Sequence, residues 1–465
     1  MSWHSILAVL VSSCVLGACA SPGPSEPSDV VVAEPPAVEP DEIRVPPDWV
    51  QGESAVSIDV CKIPDGRPAS MTTKPPGVAS LGAIGLANVG FPRSPDVIPA
   101  EGLGNIVVVP VTFRDLGKNP ADPMEVLGPQ LEKIVEWSEF WSQGVFRYEF
   151  QVVETWQELP GDSFDYEITS EPRQQRNVSM EVRLANDIVA AVGDQVDWEA
   201  AHGFYVYFPP TIESINVDWG GRGSDWIRTP AGDKQLFFWG GGKWHNSDAG
   251  GLPAELKREY LWSLWIHEML HSQGVMLHAP GNGFATGLGQ NQYPSPVKFS
   301  AAIDAWEAFL LGWIRDEQVL CIDGEDLGAE SLAILTPQEI YGGERKIVVI
   351  RTGEHDGIVV ESRRPIGYSE RWGVEDSGLL VYSLNLRVMN DRSGESTGLD
   401  CGNNPEFDKW AYYLPPNEYA GLNGSCFFSD FIVHEGDYVS HQGVRVELVF
   451  SDEELDYVRI ASESE

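Results

Sequence analysis

The sequence predicts an α+β fold, with helices and strands mixed in the first two thirds and short strands in the last third. Between residues 105 and 313, apolar runs of strand length alternate with segments in which apolar residues recur at helical spacing. Beyond about residue 321, short apolar segments recur about every ten to twenty residues instead. At 465 residues, the chain is long enough for two domains or for one large domain with an appendage.

The expected elements follow from these patterns. In the first part, strands are expected at residues 105–113, 144–153 and 203–210. Helices are expected at residues 127–141, 180–192, about 254–274 and 304–313. Residues 214–246 are rich in Gly and Trp and are expected to form loops, which either frame a site or are plain connecting turns. In the last part, strands are expected at residues 346–350, 358–362, 379–384, 431–434, 444–450 and 456–460.

The N-terminus has the features of an export signal. Residues 6–11 form an apolar core that is too short for a stable membrane anchor. The residues before Cys19, Leu-Gly-Ala, resemble a bacterial lipobox, in which cleavage leaves the Cys19 thiol to be acylated. We expect a lipoprotein signal peptide at residues 1–18 and an extended Pro-rich tether at residues 19–50. Because no Lys or Arg precedes the apolar core, an ordinary secretory signal stays open.

This signal places the protein outside the cytoplasm. The expected location is the bacterial cell envelope, as a lipoprotein of the outer membrane or cell surface, with secretion as the alternative. Contact with a membrane is expected only through the lipid anchor, since no later stretch is apolar enough to cross a bilayer.

The charge balance excludes one class of partner. The chain has 31 Lys and Arg against 70 Asp and Glu, a net charge of −39. Nucleic-acid binding needs a basic surface, so it is not expected here. So acidic a chain also suits a salty habitat or Ca²⁺ binding, although no EF-hand spacing is present.

A single motif carries the chemistry. Three of the nine histidines, His267, His271 and His278, fall within twelve positions. On a helix, His267 and His271 lie one turn apart and can direct two imidazoles at one ion, with Glu268 beside them. This is the HExxH zinc-hydrolase pattern, which chance alone produces in roughly one chain in a hundred of this kind. Gly274 suits the C-terminus of the motif helix.

Several segments in order resemble the M6 family of secreted metallopeptidases, the immune inhibitor A type. The similarity covers roughly residues 100–385 and rests on six segments. They are Val-Val-Val-Pro-Val-Thr-Phe-Arg-Asp at 107–115, the Trp-rich run at 137–148, Val-Tyr-Phe-Pro-Pro at 206–210, HExxHxxG at 267–274, Trp306 with Leu-Gly-Trp at 311–313, and Val-Glu-Ser-Arg at 360–363 followed by Gly-Leu-Leu-Val-Tyr at 378–382.

The resemblance implies a zincin or metzincin-like catalytic domain, which we assign to residues 51–325, followed by a β-rich region at residues 326–465. In such a domain a twisted mixed sheet lies above the HExxH helix, with a cleft between them. The resemblance also implies a zinc cofactor, export and endopeptidase activity on protein or peptide substrates.

The third zinc ligand departs from the family pattern. Family members commonly carry an acidic residue three positions after the motif glycine, but Leu277 occupies that position and cannot bind zinc. His278 follows at once and is the best third ligand, although a bulge or altered turn must compensate for the shift of one residue. It would leave one open position for water. Asp304 and Glu307 are the alternatives, with surface charge as their ordinary explanation.

Four cysteines remain if Cys14 and Cys19 belong to the signal, and an even number in an exported chain suggests two disulfides. The expected pairs are Cys401 with Cys426, which closes a short loop, and Cys61 with Cys321, although three pairings are formally open. A further alternative is a Cys61 thiolate that caps the zinc and keeps the enzyme latent.

These residues predict zinc-assisted peptide hydrolysis with Glu268 as general base. One alternative is an exported lipoprotein that keeps the fold for binding without catalysis. Another is a zinc amidase of a different substrate class. The intact Glu268 favours an enzyme, because a purely structural zinc site needs no general base.

Overall fold

In the computed structural model, five layers of secondary structure follow one another: a helix, a sheet, a layer of helices and two further sheets. The predicted α+β class is therefore confirmed. The structure describes residues 49, 52–54, 56–68, 86–116, 122–166, 178–208, 221–240, 261–275, 302–327, 330–372, 377–388, 410–416 and 431–463. They belong to one unit, residues 45–465.

The first sheet is mixed, with the strand order β2-β1-β4-β6-β5. β5 is an antiparallel edge strand and its neighbours run parallel, while β3 pairs with the end of β1. The strands are β1 (Gly102–Phe113), β2 (Phe146–Val152), β3 (Gln157–Leu159), β4 (Gly203–Phe208), β5 (Gly221–Thr229) and β6 (Gly232–Gly240).

The expectation of loops at residues 214–246 is wrong for residues 221–240, which form the hairpin of β5 and β6. Gly232, with φ +100°, lets the chain reverse between the two strands. Along its length β6 also pairs in parallel with β4. Its glycines stand only at its two ends, and the Leu-Phe-Phe-Trp run at residues 236–239 between them suits a strand. The Gly- and Trp-rich composition of the wider segment obscured this run.

Four described helices cover the two faces of this sheet. They are α1 (Pro123–Trp141), α2 (Val178–Val192), α3 (Leu261–Ser272) and α4 (Ala305–Leu310). Strand alternation divides the sheet's side chains between the faces, so that Val107 and Val109 of β1 pack with α2. Ile106 and Val108 point to the opposite face, into a larger apolar cluster that also contains residues of α1, α3 and α4. The motif helix α3 thus lies in the central layer.

The C-terminal part forms two sheets with the expected strands at slightly different bounds. The second sheet has the order β12-β11-β10-β9-β7, with β13 paired to β11, and the third has the order β14-β15-β16-β8. The sequence did not indicate β7, β8, β12 or β14. The strands are β7 (Val319–Asp323), β8 (Ser331–Leu335), β9 (Ile347–Arg351), β10 (Asp356–Arg363), β11 (Gly378–Asn385), β12 (Ala411–Tyr413), β13 (Ile432–Val433), β14 (Tyr438–His441), β15 (Val444–Ser451) and β16 (Asp456–Ser462).

A buried ionic network joins the second sheet to the helical layer. The Arg363 guanidinium lies 2.8 Å from Glu361 and 3.0 Å from Glu339, and all three side chains are at most 1% exposed. The same guanidinium donates to the Ile303 carbonyl at 3.1 Å, and Glu361 accepts from the Ala305 N–H at 2.6 Å. The sheet therefore fixes the start of α4.

A disulfide joins Cys61 to Cys321, as the sequence favoured. The alternative of a Cys61 thiolate on zinc is wrong, because the sulfur is already bonded. Cys321 lies in β7, which pairs in parallel with β9, so the bond ties the N-terminal segment to the second sheet. Cys401, Cys426 and Cys19 lie outside the described residues, and so do the signal peptide and nearly all of the tether.

Within the described residues, no helix is both long enough and apolar enough to span a bilayer.

Replacing Cys61 and Cys321 together by alanine is expected to lower the free energy of unfolding by about 2–5 kcal/mol. The bond joins residues 260 positions apart, so its loss frees much of the unfolded chain. Urea unfolding of the oxidised variant and wild type measures the difference. Dithiothreitol should destabilise the wild type more than the variant, and equal stability of the two oxidised proteins would contradict the expectation.

Candidate active site

The motif helix α3 is held by apolar packing on nearly every side. Its Trp265, Ile266, Met269 and Leu270 are fully buried. The Trp265 ring lies 5.2 Å from the ring of Tyr205 on β4. This packing fixes the helix axis beneath the first sheet, and α3 also contacts the antiparallel edge strand β5.

Three of the predicted site residues, His267, Glu268 and His271, lie on α3. Glu268 is half-buried and His271 is 3% exposed. The side chain of His267 and the whole of His278 lie outside what the structure describes. Among the described residues, no group of three or more His, Cys, Asp or Glu is placed to hold a metal ion. The third ligand therefore stays a prediction.

The imidazole of His271 is oriented by the backbone. Its Nδ1 lies 3.1 Å from the carbonyl oxygen of Val275. A carbonyl can only accept, so Nδ1 must carry the proton and donate it, and the lone pair of the neutral ring is then on Nε2. This is the tautomer that a histidine needs to bind a metal through Nε2, with a backbone carbonyl as the partner of the other nitrogen. The orientation of His271 is thus one that suits a metal ligand.

The end of α3 is a Schellman turn, in agreement with the predicted role of Gly274. Gly274 has φ +89°, in the left-handed region that favours glycine. Its N–H donates to the His271 carbonyl at 2.9 Å, and the Val275 N–H donates to the Leu270 carbonyl at 3.2 Å. The turn reverses the chain and brings the Val275 carbonyl back to the ring of His271.

Residues 86–101, here called the strap, run across this end of the helix. The Ile98 N–H donates to the Ser272 carbonyl at 2.9 Å, and the Asn88 N–H donates to the Gly274 carbonyl at 2.7 Å. Arg93 Nη1 donates to the Gln273 carbonyl at 2.7 Å. The strap therefore satisfies carbonyls that a helix end leaves without partners, and Arg93 places a positive charge at the negative end of the helix dipole.

The strap is itself anchored on both sides. The Asp65 carboxylate accepts from the Val89 N–H at 3.1 Å and pairs with Arg67 at 2.7 Å. Burial alone would raise the pKa of Asp65, but hydrogen bonds and the charge of Arg67 lower it below its usual value. On the other side, Trp306 on α4 donates through its ring nitrogen to the Val89 carbonyl at 2.8 Å.

Sequence reasoning missed two tyrosines around α3. Tyr205 donates to the Trp265 carbonyl at 3.4 Å, and burial, then Tyr148, then Glu268 raise the pKa of Tyr205 well above its usual value. Tyr148 on β2 donates to Gln273 Oε1 at 2.8 Å. Both belong to strands, where their alternation with apolar neighbours predicts core packing and nothing more.

Asp304 and Glu307 are not surface charges, contrary to the sequence expectation, but are 2% and 1% exposed. Tyr413 of β12 donates to Asp304 Oδ1 at 3.4 Å. Burial, and then the charge of Glu361, raises the pKa of Asp304 well above its usual value. The side-chain hydrogen bond described for Asp304 is thus with the second sheet.

Comparison of the chain with known protein families and with curated protein sequences finds no match.

Replacing Gly274 by alanine is expected to lower the free energy of unfolding by about 2–3 kcal/mol. The positive φ strains any L-residue, and the new Cβ would lie 3.2 Å from carbons of Arg93 and Val97. Gly443→Ala is the matched control, since Gly443 has φ +75° with no atom within 4 Å of the added Cβ. It should cost only about 1 kcal/mol. Equal losses in urea unfolding would show that contact with the strap is unimportant.

Proposed function

We propose that this chain is an exported zinc-dependent endopeptidase with a zincin-like fold. The observation that carries the proposal is the tautomer of His271 within an HExxH helix. Its Nδ1 donates to the Val275 carbonyl, so Nε2 holds the lone pair that a zinc ligand needs. The same helix carries Glu268 next to His267, the position that a general base needs beside a metal-bound water.

The surroundings of α3 support the fold part of the proposal. The helix packs beneath a mixed sheet and contacts its edge strand β5, which runs antiparallel to β6. A mixed sheet above a buried motif helix is the arrangement that the resemblance to M6 peptidases implies. The disulfide between Cys61 and Cys321 supports export, because such bonds persist in oxidising compartments.

In the proposed reaction, His267, His271 and His278 would hold zinc. When bound, zinc would supply Lewis-acid activation of a water molecule and of the scissile carbonyl. The Glu268 carboxylate takes a proton from the attacking water and later delivers it to the amine nitrogen of the departing peptide. Glu268 is half-buried, so its side chain keeps partial access to solvent.

Glu268→Gln is expected to lower casein cleavage at least 100-fold while zinc content stays at the wild-type level. The amide has nearly the shape of the carboxylate but cannot accept the proton. Zinc in the purified mature protein is measured by atomic emission and cleavage by release of labelled peptides. If the wild type binds zinc but does not cleave casein, a binding protein or an amidase is favoured. If zinc is absent from both proteins, the proposal is rejected.

His278→Ala is expected to weaken zinc binding at least 100-fold, because only two protein ligands would remain. Competition with a chelator measures the dissociation constant. Leu277→Ala is the matched control, since the neighbouring leucine cannot bind zinc and its replacement should leave the constant nearly unchanged. Full zinc affinity in His278→Ala would transfer the role of third ligand to Asp304 or Glu307.

A further inference from the structure

We propose that Tyr148, Gln273 and Arg93 are positioning residues that set the His271 imidazole for zinc through the turn at Gly274. This inference rests on the proposed function and adds residues that the motif does not contain. Tyr148 and Gln273 are fully buried, and Arg93 donates to backbone carbonyls of the strap and of Gln273. Their effect would therefore pass through the backbone to His271.

Gln273 is fixed at three points directly before the turn. It is fully buried. Its Oε1 accepts from the Tyr148 hydroxyl at 2.8 Å, and its Nε2 donates to the Pro99 carbonyl of the strap at 2.9 Å. Its own carbonyl accepts from Arg93 at 2.7 Å, while Arg93 also donates to the Ile98 carbonyl at 3.0 Å. The backbone that enters the turn therefore has little freedom to shift.

The turn transmits this position to the ring. Gly274 and Val275 follow Gln273 directly and donate to the His271 and Leu270 carbonyls at 2.9 and 3.2 Å. The Val275 carbonyl then accepts from His271 Nδ1 at 3.1 Å. A displacement of Gln273 would move this carbonyl and weaken the hydrogen bond that selects the tautomer.

The chemistry of the group suits positioning better than stability. A leucine at 273 would fill the same volume without the cost of burying an amide and a tyrosine hydroxyl. A buried polar network that is fully bonded instead fixes one geometry. Burial raises the pKa of Tyr148 well above its usual value, against the effect of Arg93, so the hydroxyl keeps its proton and remains a donor.

The test compares Tyr148→Phe, Gln273→Leu and the double variant in the mature full-length chain. Tyr166→Phe is the matched control. Tyr166 is also fully buried and donates to Asp187 at 2.6 Å, but it packs with α2 on the opposite face of the first sheet. It should lose similar stability without any change at His271. Two readouts are used: the zinc dissociation constant from chelator competition, and the ¹⁵N shifts of His271, assigned with His271→Gln.

Each single variant is expected to weaken zinc binding 10- to 100-fold, as the loss of groups that orient metal ligands does. The double variant should bind zinc no more weakly than Gln273→Leu, because the tyrosine acts through the glutamine. In the metal-free proteins, the nitrogen shifts of His271 should move toward a mixture of tautomers. Activity should return at saturating zinc, since the three residues take no part in bond breaking.

The outcomes separate this inference from the proposed function. Suppose that the wild type binds zinc and cleaves casein, while both single variants keep the wild-type zinc affinity and the wild-type nitrogen shifts of His271. This outcome would overturn the positioning role alone. The same would follow if Tyr166→Phe weakened zinc binding equally, since the effect would then be general destabilisation. Wild-type protein without zinc would overturn both proposals.

Discussion

The constraint on which the site depends is the reversal of the chain at Gly274. A helix that ends inside a protein leaves carbonyls without partners, and burying them costs free energy. Here the turn satisfies two of them, and the strap satisfies others through the Ile98 N–H and Arg93. The same reversal brings the Val275 carbonyl to His271, so the solution to a general backbone problem also orients a functional side chain.

From this turn, contacts lead without interruption to the C-terminal sheets. The strap carbonyl of Val89 accepts from Trp306 on α4, and the first N–H of α4 donates to Glu361 on β10. Glu361 is in turn bonded to Arg363. The β-rich region therefore buttresses the layer that holds the motif helix. A catalytic fragment cut at residue 325 would retain β7 but lose β9 and β10, and with them the support of α4.

What the sequence could predict was local. Helical spacing indicated α1 and the described part of α3, a β-branched run indicated β1, and Gly274 marked the end of the motif helix. The hairpin of β5 and β6 was missed because the composition of the segment suggested loops, whereas β6 is held as a strand by pairing with β4, a contact between distant residues. The pairing of Gln273 with Tyr148 was not predicted for the same reason, since this hydrogen bond joins residues 125 positions apart. No local spacing could have revealed it.

The start of α4 shows why the buried carboxyl groups were misjudged. Asp304 stands at the N-cap position, where an aspartate usually accepts from an N–H of the first turn, yet it makes no such bond. Glu361 from β10 accepts from the Ala305 N–H in its place. Because Glu361 caps the helix from another element, Asp304 lies buried beside it. Two negative charges in this position would repel each other. Burial and this neighbour raise the pKa of Asp304, so the group retains a proton to higher pH and the repulsion is relieved. From the sequence, an aspartate before a helix suggests a local cap, and only the fold shows that the cap is tertiary.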